Sequence, residues 1–157
     1  MTDYPPLEQL AAEEAELVLP RLTNDDAIAL GLALVEAARA DALPVVVDVR
    51  RGDQILFHAG LAGTAATNDA WVERKVRTVR LVGTSSLRAG AQAAAAGRSF
   101  AEAQLVDPTL YAAHGGAFPR VVRDAGLVGG VTVSGLPQVE DHRLVVRVLR
   151  EFLAGLS

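Results

Sequence analysis

Several small groups of residues in this chain have the types and spacing to do chemistry. His114 stands before Gly115-Gly116, two residues without side chains that let backbone approach a ligand closely, and Tyr111 lies three positions earlier. Arg74 and Lys75, just after Trp71, offer adjacent cations to an anion. Ser134-Gly135 closes an apolar run, and His142 follows Glu140 and Asp141. Known catalytic templates fail on these groups. A hydrolase elbow needs glycine two positions before its serine, where Ser134 has Thr132. Gly60-x-x-Gly63-Thr64 lacks the lysine of a phosphate loop, and Gly126-x-x-Gly129-Gly130 falls between strands instead of opening a helix. The three histidines have no short metal spacing, so no metal site is read from them.

The elements that must position these groups follow from composition and period. At 157 residues, half of them apolar, the chain reads as one domain, 1–157, with a core of Val, Leu and Ala suited to one layer of helices on a sheet. A net charge of −4 argues against nucleic acid as a partner. No cysteine is present, which removes disulfides and thiolate chemistry together. The first twenty residues are acidic where a secretion signal would be basic, and no run of 18 apolar residues suggests a membrane partner. The expectation is a soluble cytoplasmic protein.

Residues 1–20 read as an N-terminal helix ended by Pro20, and Thr23 or Asn24 caps a second whose stripe is Ile28, Leu32, Val35 and Ala38. Val45–Val49 and Ile55–Phe57 form a hairpin about Arg51-Gly52-Asp53, with Asp48, Arg50, Gln54 and His58 on a partly wet face. Asn68 or Asp69 opens a third helix, with Val72, Val76 and Val79 inside and Arg74, Lys75, Arg77 and Arg80 outside. An alanine-rich helix runs from Ser85 or Ser86 to Gly97, and a short one covers 99–106. Strands at 118–122 and 127–134 make a second hairpin before a closing helix with the stripe Leu144, Val145, Val148, Leu149, Phe152 and Leu153.

Asn68-Asp69-x-Trp71 with Arg74-Lys75, Ser85-Ser86, His114-Gly115-Gly116-x-Phe118-Pro119, Ser134-Gly135-Leu136-Pro137-Gln138 and Asp141-His142 together resemble the GlcG/HbpS-like family, the haem-degrading domain, and more narrowly its cytoplasmic branch. The resemblance implies an α/β (α+β) profilin-like three-layer sandwich, a mainly antiparallel sheet flanked by helices, assembled as a homo-oligomer. It also implies a tetrapyrrole ligand, with haem as cofactor. The branch usually carries a third glycine and an isoleucine where this chain has Ala117 and Arg120.

Haem needs an apolar cleft, an axial ligand and cations for its propionates. His114 is the candidate iron ligand and Arg74 and Lys75 the propionate partners; Gly115, Gly116, Phe118, Pro119, Ser134 and Gly135 complete the candidate ligand-binding set. Each has a structural alternative. His114 could simply fix a corner, His142 could hold the Gly135-Leu136-Pro137 turn, and Trp71 could pack, even across an interface. Tyr111 is a secondary candidate, and His58 reads as a surface or interface residue. Two rival functions stand beside tetrapyrrole binding: a non-catalytic oligomeric scaffold or adaptor, and an enzyme on a small anionic metabolite.

Overall fold

The computed structural model describes residues 2–156. Six helices and four strands follow in the order α1 (Leu7–Glu16), α2 (Asn24–Ala40), β1 (Val46–Arg51), β2 (Gln54–Gly60), α3 (Ala66–Val82), α4 (Ser86–Ala95), α5 (Phe100–Gln104), β3 (Ala117–Val122), β4 (Gly126–Ser134) and α6 (Gln138–Gly155). The strands form one antiparallel sheet in the order β2-β1-β4-β3, so the two hairpins read from sequence lie side by side, joined through β1 and β4. This is the expected α+β sandwich. Helices cover both faces, two layers where composition alone suggested one: α2 and α6 pack on one side and α3 on the other.

The first face carries the main core. Val47, Val49, Phe118, Val131 and Val133 point from the sheet to Leu30 and Leu34 of α2 and Val145 and Leu149 of α6, all of them sealed from solvent. The expected stripe on α2 is displaced. Ile28 and Leu32 are exposed, and the helix instead buries Ala27, Leu30, Gly31, Leu34 and Ala38. Gly31 is the point of closest approach, where a methyl group would run into the Phe57 ring of β2. Thr23 caps α2 as expected: its hydroxyl accepts from the Asp26 N–H at 3.0 Å while the Asp26 carboxylate accepts from the Thr23 N–H. The helix stops at Ala40, short of Pro44.

The opposite face is wet at Gln54 and His58, as expected, but dry at Asp48 and Arg50. Helix α3 closes over it, burying Asp48 and Arg50 completely or nearly so, and this burial is tolerable because both are paired. Arg50 Nε donates to Asp48 at 2.8 Å and its Nη atoms to Glu73 of α3. His58 bridges Asp48 at 2.8 Å and Asp69 at 2.7 Å, so it is a tie between hairpin and helix and no loose surface group. Helix α3 begins at Ala66, earlier than expected, with the Asn68 side chain accepting from the Ala65 N–H at 2.9 Å.

The N-terminal helix is also shorter than 1–20. After Glu16 the chain turns extended, and Leu19 bridges Val122 in parallel at the β3 edge. His142 is fully buried and meets Glu13 of α1 at 2.8 Å, holding α1 to α6; the Gly135-Leu136 turn is held by its neighbour Asp141. Arg120, in place of an apolar residue, is completely buried, with one hydrogen bond from Nη2 to Leu17 O at 2.9 Å. Among the described residues no helix is long and apolar enough to cross a membrane.

Candidate functional site

The candidate site forms where the first turns of α3, the His114 corner and the start of α6 meet at the end of β4. Lys75 is not on the outer face of α3. It lies on the same stripe as Val72, Val76 and Val79, buried, with Nζ 3.3 Å from both Asp141 Oδ2 and Val133 O. Asp141 also accepts from the Gly135 N–H at 3.2 Å and the Leu136 N–H at 3.0 Å. Burial pushes the Asp141 carboxyl up to about 6, against the Lys75 charge and these two N–H groups, and pushes the Lys75 ammonium down.

The glycine pair makes this packing feasible. Gly116 has φ 131°, and a side chain there would run into Val133 O and crowd Lys75 Nζ. The Gly115 N–H donates to Gln138 Oε1 at 3.0 Å, which docks the His114 corner on α6. The His114 ring then meets Trp71 at a tilt, centroids 5.0 Å apart, and the Arg74 guanidinium lies over the Trp71 ring, 4.4 Å from its centroid. Partial burial lowers the His114 pKa, helped by the charges of Lys75 and Arg74, so its imidazole is neutral at pH 7.

Two cavities meet at His114. An inner pocket of about 260 Å³ is lined by Asn68, Trp71, Lys75, His114, Ser134 and Asp141, with Gly135, Leu136 and Gln138 at its rim. An outer groove of about 640 Å³ has His114, Arg74, Tyr111, Arg98, Phe100 and Val106 among its walls. Of the candidates read from sequence, His114, Lys75, Ser134, Gly135 and Trp71 converge on the inner pocket, while Arg74 and Tyr111 share the groove with His114. Phe118 and Pro119 are buried in β3, with Phe118 turned into the main core, so they do not join either cavity. His142 is likewise remote, its ring 5.9 Å from that of Phe118.

Asn68, Gln138, Asp141 and Arg98 were not singled out as ligand groups. For Asp141 a signal exists: Lys75 falls on the apolar stripe of its helix, and a lysine there demands a carboxylate partner.

A four-stranded antiparallel sheet between two helical layers, with a buried ion pair under a glycine corner, is an α+β sandwich. Residues 22–150 match the family model for the haem degrading protein HbpS-like family, and the chain belongs to that family. It is 54% identical over 149 residues to a UPF0303 protein of Streptomyces avermitilis, covering 95% of this chain and 91% of that one. Among solved structures it is similar to Ybr137w protein, with a TM-score of 0.88, 32% identity, and 96% and 89% of the two chains covered. A PduOC:haem complex shares the fold at a TM-score of 0.68 and 20% identity, covering 82% of this chain and 93% of that one.

Proposed function

We propose that the protein binds a tetrapyrrole in the outer groove, with His114 meeting the iron of haem and Arg74 and Arg98 meeting the propionates. The observation that carries this reading is the His114 imidazole: neutral, without a hydrogen bond to any described residue, and set in the wall of a groove large enough for a macrocycle. At about 640 Å³ the groove lies within the roughly 300–1,000 Å³ of small-molecule sites. The inner pocket is too small for a macrocycle. Phe100 and Val106 supply apolar wall, and Arg74 Nε is buried with no partner, an unmet donor beside the proposed propionate position. Bound haem would supply a redox-active iron. Membership of a haem-degrading family and the haem complex of a fold relative support the reading.

Haemin titration followed at the Soret band tests it. A saturable shift is expected for the native protein, lost in His114→Ala and weakened in Arg98→Ala. No saturable shift, or one unchanged in His114→Ala, overturns the proposal.

A homo-oligomer belongs to the same proposal. Leu105 is 91% exposed and Ile55 50%, large apolar side chains at two separate corners that a partner copy could cover. Sedimentation at micromolar concentration should show a species larger than the monomer, and a monomer contradicts this. An oligomer that leaves haemin unshifted instead supports the scaffold function.

A further inference from the structure

The inner pocket has a wall of unused hydrogen-bond donors. Lys75 Nζ carries three hydrogens, of which Val133 O and Asp141 Oδ2 take two at 3.3 Å each, long for an ammonium bond. The third has no partner among the described residues. Since the Lys75 side chain is only 4% exposed, that third partner must come from within the pocket it lines. Asn68 commits its Oδ1 to the Ala65 N–H, which leaves its amide hydrogens free, and the Ser134 hydroxyl makes no hydrogen bond to a described residue. The Asp141 carboxylate already receives Lys75 and the Gly135 and Leu136 N–H groups, and Gln138 Oε1 receives the Gly115 N–H.

We propose that the inner pocket is a second binding site, for a small carboxylate, held by Lys75 Nζ, the Ser134 hydroxyl and the Asn68 amide. Three donors lining one pocket suit a ligand group that only accepts, and a carboxylate is the compact organic group of that kind. About 260 Å³ is the space of roughly nine water molecules, which limits the ligand to a short chain. Trp71 and Leu136 give that chain an apolar surface. The Asp141 charge cancels that of Lys75, and Arg74, stacked on Trp71, adds the net positive charge that favours an anion. This site does not depend on a tetrapyrrole in the groove.

Calorimetric titration of the full chain at constant ionic strength with isobutyrate and with its neutral isostere isobutyramide tests the proposal. Isobutyrate should bind saturably, about 10- to 100-fold more tightly than isobutyramide, the range expected for a charge-assisted hydrogen bond. Lys75→Met should abolish binding. Because that change strands Asp141, the Asn68→Ala/Ser134→Ala variant provides a second test and should weaken isobutyrate at least about tenfold. The absence of saturable heat, equal affinity for the two probes, or unchanged affinity in the Asn68/Ser134 variant overturns the proposal. Asn68→Ala should keep the haemin Soret shift; loss of both ligands together overturns the separation of the two sites.

Discussion

At the scale of single residues, the informative groups are those whose polar atoms sit where apolar atoms would be expected. His58 has a carboxylate on each ring nitrogen, an arrangement that both N–H groups can satisfy only when the imidazole is protonated. Burial lowers its pKa, but the hydrogen bonds and charges of Asp48 and Asp69 prevail and raise it. A raised pKa stabilises the fold fully below the unfolded value of about 6.5, and that contribution is lost as pH rises through the folded value. Urea unfolding should therefore show stability falling as pH rises above about 6.5. Asp69→Asn should flatten the slope, modestly, since His58 is one-third exposed. Arg120 is the opposite case. Burial pushes its guanidinium down to about 9, still charged at neutral pH, and Nε and Nη1 have no partner. Arg120→Met should raise stability by about 1–4 kcal/mol in chemical denaturation, as removal of poorly compensated buried charges does.

At the scale of elements, much of the fold was legible because caps, turns and strand runs carry local signals. Thr23, Ser85 and Ser99 each cap the helix expected of them. The displaced stripe of α2 has a physical reason. Six alanines and a glycine around five large apolar residues permit two overlapping stripes, and the closer-packing one wins because Ala27 and Gly31 let the helix sit down on the sheet. Gly31→Ala should improve helix propensity by about 1 kcal/mol yet lose about 1–3 kcal/mol by forcing the Phe57 ring aside, a net fall in melting temperature. A melting temperature that rises would show that the ring yields freely. The burial of Asp48 and Arg50 on the partly wet face of the first hairpin was missed because Arg50 and His58 find partners on α3, at Glu73 and Asp69, beyond the reach of local periodicity. Lys75 was misplaced among its cationic neighbours for the same reason, its carboxylate being 66 positions away.

At the scale of the whole molecule, the site is a product of layering. One side of the sheet is an apolar core that fixes the strands, and the other is a polar layer in which α3 is held by ion pairs at Asp48, Arg50 and Lys75. The inner pocket opens at the end of that polar layer, where α3, β4 and α6 converge, and the outer groove lies on the far side of the His114 corner, against α3, α4 and α5. Family resemblance grouped His114, Lys75 and Ser134 as candidates, but that His114 is shared by two cavities, one with Lys75 and Ser134 and the other with Arg74 and Tyr111, is a matter of side-chain packing. Covering of the β3 edge by Leu19 has its own bearing on assembly, since the Leu19 N–H donates to Val121 O and its carbonyl accepts from the Arg123 N–H. The sheet's other margin, β2, has no strand beside it among the described residues. Two copies joined there about a twofold axis would each use up that margin, leaving further strand addition only the β3 margin, which Leu19 obstructs at its Val121–Arg123 end.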